Sequence, residues 1–119
     1  MRSYILVAVG GAIGASLRWG VGESLGRPPG SFPLATLLVN VVGCILIGIA
    51  ARSLVRGSDR WQAGVTGLLG GLTTFSTFAT ETRGLVDAGH SDQALLYVAV
   101  SIVAGLAAVE ITRGDWARR

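Results

Sequence analysis

The chain has 119 residues, of which 50% are hydrophobic and only 14% are charged, whereas about a quarter of the residues of a soluble domain are charged. This composition predicts a membrane protein. The net charge of +3 comes from ten arginines without any lysine, and in a membrane chain such charge belongs to loops, which argues against nucleic-acid binding. The sequence lacks the motifs of zinc proteases, thiol redox enzymes and phosphate loops, so we expect no enzyme activity.

Four runs without charged residues follow one another along the sequence. Because an α-helix rises about 1.5 Å per residue and the hydrocarbon core of a bilayer is about 30 Å thick, each run is close to a membrane-spanning length. They predict four transmembrane helices, at about residues 3–21, 33–54, 61–86 and 92–113. The loops between them are short, so we interpret residues 1–119 as one all-α membrane domain.

The first two predicted spans contain small residues and two polar side chains. Gly10 and Gly14 form a small face that lets another backbone come close. Arg18, near the end of span one, either anchors at the membrane interface or attracts anions to a vestibule. After a Pro-Pro-Gly turn at residues 28–30, span two carries Asn40 near its centre, where the amide serves either as an interhelical hydrogen bond or as a donor in a pore.

Span three has the sequence GGLTTFSTF, Gly70 to Phe78, in its middle. Glycine permits unusual dihedral angles and threonine hydroxyls compete for backbone groups, so we expect the helix to open here, near the bilayer midplane. The alternative is a continuous helix with a glycine-rich packing contact. An opened helix frees carbonyl oxygens, and two copies inserted in opposite directions would bring about four of them together, enough to hold an alkali cation.

Aromatic and hydroxyl side chains alternate after the glycines. Phe75 and Phe78 share one helix face and lie beside the hydroxyls of Ser76 and Thr77. Ring edges carry partial positive charge and hydroxyls donate hydrogen bonds, so this pattern suits a small, strongly hydrated anion in a narrow passage. Packing of the two rings against lipid or core is the alternative.

Three further polar residues lie beyond this pattern. Glu81 is nearer to the end of span three than to its centre, with either an interfacial or a pathway role. In span four, Tyr97 and Ser101 lie on one face and would extend the polar track. Tyr97 also suits an interfacial aromatic belt.

Arginines are unevenly distributed between the two sides of the predicted topology. The side of the termini and of the second loop holds Arg2, Arg52, Arg56, Arg60, Arg113, Arg118 and Arg119, whereas the other side holds Arg18, Arg27 and Arg83. Because positively charged loops stay in the cytoplasm, this bias favours cytoplasmic termini.

The run from Gly70 to Phe78 resembles the signature of the fluoride-exporting channel family known as Fluc or CrcB. The stretch from Gly10 to Gly14 followed by Arg18, and the sequence LVNVVG around Asn40, are also similar to the family, as are the chain length and the four spans. The resemblance implies a passive, fluoride-selective channel that exports fluoride across the inner (plasma) membrane of a prokaryote. It also implies an antiparallel, dual-topology homodimer with two narrow pores at its interface.

The resemblance further assigns roles to individual residues. A structural sodium ion would be held by backbone carbonyls of the third span, which fall on Gly70 and Thr73. The implied pore residues are Phe75, Phe78, Asn40, Ser76, Thr77, Tyr97 and Ser101, and the implied vestibule residues are Arg18 and Glu81.

Alternatives remain for the partner and for the function. The uneven arginine count fits dual topology poorly, so a heterodimer with an oppositely oriented homologue is the alternative to a homodimer. A small four-span, proton-coupled exporter is the alternative function; it needs an intramembrane carboxylate, and spans one and two contain none. A purely structural role would leave Asn40, Phe75 and Phe78 without a purpose.

Overall fold

The computed structural model of the protein describes residues 1–26 and 30–114, and this part of the chain is all helical. The two prolines of the predicted turn at residues 28–30 lie outside the described residues, as do Arg27, Arg118 and Arg119. The elements are α1 (Arg2–Leu25), α2 (Leu34–Ser53), α3 (Asp59–Trp61), a π-helix (Gln62–Leu69), α4 (Gly70–Leu72), α5 (Phe75–Asp87) and α6 (Ser91–Arg113). The prediction of an all-α chain is confirmed for the described residues.

Within the described residues, three helices are long and apolar enough to cross a membrane: α1, α2 and α6. Their outer surfaces expose many large apolar side chains, among them Ile5, Leu95 and Leu106. In water such surfaces would be unfavourable, whereas lipid tails solvate them. The protein is therefore a multi-pass membrane protein.

The third predicted span, residues 61–86, is covered by several shorter elements. Ser58 begins it as an N-cap, since its side chain accepts a hydrogen bond of 3.2 Å from the Trp61 N–H. A π-helix of eight residues follows, with the wider i→i+5 hydrogen-bond pattern, and leads into the single turn of α4. Thr73 and Thr74 then have extended backbones before α5 begins at Phe75.

Glycines let α1 pack directly on the backbone of residues 62–72. A Cβ at Gly14 would lie 2.7 Å from the Leu72 nitrogen, and a Cβ at Gly67 would lie 3.1 Å from the Cα of Gly10. Any side chain at these positions would force the two backbones apart. The predicted close approach at the small face of span one is confirmed.

The remaining core consists of two apolar clusters on either side of Thr73 and Thr74. The first contains Val39, Val65, Leu69 and Leu72, and the second contains Leu85, Ala94 and Tyr97. Helix α2 contributes Val39 to the first cluster and packs Leu37 against the second, to which α6 contributes Ala94 and Tyr97.

Candidate functional site

The third segment is interrupted at two threonines rather than at the glycine pair. Thr73 has φ −81° and ψ 157°, and Thr74 has φ −151° and ψ 126°, both extended. Gly70 remains helical, with φ −63° and ψ −34°. Gly71 is needed for another reason: a Cβ there would lie 3.0 Å from the Cα of Gly11 in α1. The glycines thus serve packing, and the opening follows two residues later.

Asn40 satisfies the backbone of the interruption with both ends of its amide. Its Oδ1 accepts a hydrogen bond of 2.9 Å from the Thr74 N–H, and its Nδ2 donates one of 3.0 Å to the Thr74 carbonyl. Extended backbone usually finds its hydrogen-bond partners in a neighbouring strand, and here the Asn40 side chain supplies them. Asn40 makes the predicted interhelical hydrogen bond, and its Nδ2 carries a second N–H beyond the one given to Thr74.

Arg18 contacts the interruption from the side of α1. Its Nε donates a hydrogen bond of 3.2 Å to the Gly71 carbonyl, and its Nη1 lies 3.5 Å from the Thr77 hydroxyl oxygen. The side chain is half-buried, so its charge lies inside the helix bundle and not only at the edge. A fixed cation beside a passage of hydroxyl groups attracts anions.

The interruption changes the partners of several backbone groups. In a continuous α-helix the N–H groups of Thr74 and Thr77 would bond to the carbonyls of Gly70 and Thr73. Instead, Thr74 donates to Asn40, and Thr77 donates to the Thr74 hydroxyl over 3.1 Å. The carbonyls of Gly71 and Thr74 accept from Arg18 and Asn40. Gly70 and Thr73 are thus among the positions whose carbonyls lose their helical donor, and neither accepts from Arg18 or Asn40.

Four aromatic rings follow one another from the interruption into the second core cluster. Phe75 is 79% exposed, and its ring centroid lies 5.8 Å from that of Phe78. Phe78 lies 5.1 Å from Tyr97, which in turn contacts Phe32 edge-on at 5.5 Å. Tyr97 is completely buried, which excludes the interfacial-belt alternative. The sequence does not single out Phe32, because it is an isolated aromatic residue that precedes the apolar run of span two.

Glu81 is buried within the bundle. Its Oε1 accepts a hydrogen bond of 2.9 Å from the Thr36 hydroxyl, and its Oε2 accepts one of 2.8 Å from the Tyr97 hydroxyl. Such a carboxylate needs several donors when it leaves water. Thr36 was missed by the sequence analysis, although it lies four residues before Asn40, one turn away on the same side of α2.

Two grooves share the predicted site residues between them, except Ser76 and Tyr97, which line neither. The larger, about 460 Å³, is mainly apolar and includes Asn40, Gly70, Thr73, Thr74, Phe75, Phe78 and Ser101. The smaller, about 330 Å³, includes Arg18, Thr36, Thr77 and Glu81. A hydrogen bond of 3.0 Å between the hydroxyls of Thr74 and Thr77 joins their linings, and the Ser76 hydroxyl lies 3.2 Å from that of Thr74. Hydroxyl groups thus connect the cationic groove to the aromatic one.

Among residues 1–26 and 30–114, no three His, Cys, Asp or Glu residues are grouped so that they could hold a metal ion. The oxygen atoms at the interruption are backbone carbonyls, threonine hydroxyls and the Asn40 amide oxygen.

Comparisons with known proteins show similarity to one family of membrane channels. The sequence profile of the family described as CrcB-like protein, camphor resistance, matches residues 5–113. A fluoride-specific ion channel of Paracoccus denitrificans is 44% identical over 91% of this chain and 89% of its own length. A fluoride-specific ion channel of Roseobacter denitrificans is 44% identical over 100% of this chain and 97% of its own. A fluoride-specific ion channel of Thermus thermophilus is 42% identical over 89% of this chain and 88% of its own length.

Proposed function

The chain belongs to the CrcB-like family, and we propose from this membership and from the site that it is a passive, fluoride-selective ion channel rather than an enzyme. It lets fluoride leave the cytoplasm and so prevents fluoride toxicity. One observation carries the proposal on the side of the structure: the interruption at Thr73 and Thr74, with hydroxyls and ring edges gathered around it. The membrane is the plasma membrane of a bacterium.

The chemistry of the track suits a small anion that holds water tightly. Fluoride must exchange its hydration shell for protein donors in order to pass a narrow site. Arg18 attracts it to the smaller groove, and the hydroxyls of Thr77 and Ser76 and the second amide hydrogen of Asn40 provide hydrogen bonds. Ring edges of Phe75 and Phe78 bind weakly, which lets the ion leave again. Ser101 extends the lining of the larger groove. Tyr97 is fully buried and supports the track from behind, through its contacts with Phe78 and Glu81.

A single copy leaves this track open on one side, so the proposal includes a second subunit. Phe75 is 79% exposed at a groove of about 460 Å³ that is lined mainly by apolar groups. The charge-free run from Trp61 to Thr80 is centred on Gly70 and Gly71, which places the interruption near the middle of the membrane. Two antiparallel copies would therefore bring their interruptions together at the same depth.

We place a structural sodium ion between the two interruptions. The carbonyls of Gly70 and Thr73 are those whose helical N–H donors turn to side chains, so they fit an oxygen-ligated cation. Carbonyls of Gly70 and Thr73 would hold the ion, whose charge would offset the repulsion between oxygens brought close together. Asn40 and Arg18 hold the backbone beside these carbonyls, at Thr74 and Gly71.

The partner is a second copy or an oppositely oriented homologue. A homodimer requires that this chain insert in both directions, whereas its arginines favour cytoplasmic termini. We propose the homodimer because both halves of the site are then built from the same residues. Pairing with a homologue of opposite charge bias is the alternative.

A proton-coupled exporter is the second candidate function. The observation in its favour is the buried Glu81 carboxylate between Thr36 and Tyr97, since such exporters carry protons on intramembrane carboxylates. A channel and an exchanger differ in their energy source, which gives a direct test.

The test uses purified protein in liposomes loaded with potassium fluoride, with efflux followed by a fluoride electrode. A potassium ionophore, added without any proton gradient, should start rapid fluoride efflux. Liposomes loaded with potassium chloride and followed by a chloride electrode should release no chloride. Phe75→Ile should reduce fluoride efflux to that of protein-free vesicles. Leu95→Ile, a control at an exposed position of α6, should retain the efflux of the unmodified protein. Efflux that demands a proton gradient would transfer the assignment to the exporter.

A further inference from the structure

One end of the helix bundle gathers five arginines of the described residues, independently of the proposed channel function. They lie at the start of α1, the ends of α2 and α6, the loop after α2, and in α3: Arg2, Arg52, Arg113, Arg56 and Arg60. Arg2 pairs with Asp59 at 2.9 Å, and Arg113 lies 3.9 Å from Glu110. Within residues 1–26 and 30–114, no carboxylate forms an ion pair with Arg52, Arg56 or Arg60. This end therefore carries uncompensated positive charge.

Two of these arginines contact uncharged groups, so their positive charge is not neutralised. Arg52 Nη1 lies 3.4 Å from the Thr112 carbonyl, which joins the end of α2 to the end of α6. The Arg56 guanidinium lies over the Trp61 ring, 5.8 Å from its centroid. Trp61 is itself packed against the first core cluster, so the stacked arginine has a firm support.

Apolar side chains lie directly beside these charges. Val55, next to Arg56, is 78% exposed, and Ile111, next to Thr112, is 70% exposed. A partner that fits both features has an anionic group attached to an apolar chain. Since the surface lies at the end of two helices long enough to cross a membrane, the lipid of the surrounding leaflet meets it without any further docking step.

We propose that Arg52, Arg56 and Trp61 form a binding site for the phosphate headgroup of an anionic lipid. The planar guanidinium groups donate paired hydrogen bonds to phosphate oxygens. The Trp61 ring lies at headgroup level, as aromatic residues at membrane interfaces do, and the acyl chains run along Val55 and Ile111. The lipid thereby bridges the end of α2, the loop that follows it and the end of α6.

Native mass spectrometry of the full chain in an uncharged detergent tests this site, with phosphatidylglycerol titrated against phosphatidylcholine. The unmodified protein should retain phosphatidylglycerol in preference to phosphatidylcholine. The double variant Arg52→Gln, Arg56→Gln should bind phosphatidylglycerol about 30-fold more weakly, since each arginine near a membrane surface contributes about a factor of five. Arg83→Gln, at the opposite end where Arg83 pairs with Asp87, is the matched control and should bind as the unmodified protein does.

Several results would overturn the proposal. Equal retention of the two lipids would show that charge does not select the ligand. Undiminished binding by the double variant, with a gel-filtration profile and helical circular dichroism like those of the unmodified protein, would place the lipid elsewhere. Displacement of the lipid by millimolar glycerol phosphate would identify a site for free phosphate compounds instead of lipid. Equal loss of phosphatidylglycerol binding in Arg83→Gln would show that binding depends on the net charge of the protein and not on this site.

Discussion

The two contact surfaces of the third segment are built from opposite kinds of residue. Toward α1, residues 62–72 make a contact of backbone against backbone, in which Gly10, Gly14 and Gly67 leave no room for a side chain, and Arg18 adds a side-chain hydrogen bond at the end of this contact. Toward α2 and α6, the region around Thr74 and Glu81 is held by side-chain hydrogen bonds from Asn40, Thr36 and Tyr97. The first surface tolerates no added atom, whereas the second tolerates no lost donor.

This difference shows how an interrupted helix can be stable inside a membrane. Extended backbone in hydrocarbon needs a partner for every N–H and carbonyl, because no water is present to supply one. The polar surface provides those partners at Thr74, and the glycine surface fixes the segment so closely that the interruption cannot slide along α1. Disturbing each surface in turn separates the two contributions.

The largest effect is expected at the glycine surface. In Gly14→Ala the new Cβ would meet the Leu68 carbonyl oxygen and lie 2.7 Å from the Leu72 nitrogen, so the backbones must separate, at a cost of about 3 kcal/mol. Gly20→Ala in the same helix is the control, since nothing lies within 4 Å of its Cβ, and it should gain up to about 1 kcal/mol from helix propensity. Thermal unfolding in detergent measures both. Equal midpoints for the two variants would refute the close contact.

A smaller effect is expected from the amide that supports the interruption. Asn40→Ala leaves the N–H and the carbonyl of Thr74 without their partner, which should cost about 2 kcal/mol of folding free energy. Fluoride efflux from liposomes should fall together with the unfolding midpoint. The control is Cys44→Ala, one turn further along α2 in the same groove, which should keep its efflux. Full efflux by Asn40→Ala would show that the interruption supports itself.

The smallest effect is expected deeper in the second core cluster. Tyr97→Phe removes one donor to the Glu81 carboxylate and keeps the ring contact with Phe78, so it should cost about 1.5 kcal/mol. Tyr4→Phe, at a position that is 81% exposed, should leave the unfolding midpoint unchanged and serves as the control. A larger loss for Tyr97→Phe than for Asn40→Ala would reverse the proposed order of importance.

Sequence reasoning predicts α1, α2 and α6 well, because charge-free runs of membrane length permit few alternatives to a helix. It does not predict the π-helix at Gln62–Leu69, since α- and π-helices draw on the same residue types and differ only in hydrogen-bond register. The exact place of the interruption also differs from the glycine pair. Helical geometry is available to glycine whenever packing favours it, and here the contact of Gly71 with Gly11 does so.

At the candidate site, the sequence identifies the important polar residues but not the groups that they bind. The sequence selects Asn40 and Glu81 because polar side chains are costly in a membrane, but it leaves open what each one binds. The structure pairs Asn40 with the Thr74 backbone and Glu81 with Thr36 and Tyr97. Such pairings depend on the rotation of each helix about its axis, which hydrophobic periodicity determines only coarsely for helices that are apolar on all sides.

The proposed channel is an antiparallel pair of copies that meet at their interruptions and hold a sodium ion on backbone carbonyls. Electron cryomicroscopy of the purified protein in sodium buffer would reveal this arrangement. We expect an antiparallel pair with a density peak on its two-fold axis, at bonding distance from the carbonyls of Gly70 and Thr73 of both copies. A lone protomer, a parallel pair, or two copies whose Gly70 and Thr73 carbonyls point away from each other would refute the proposal.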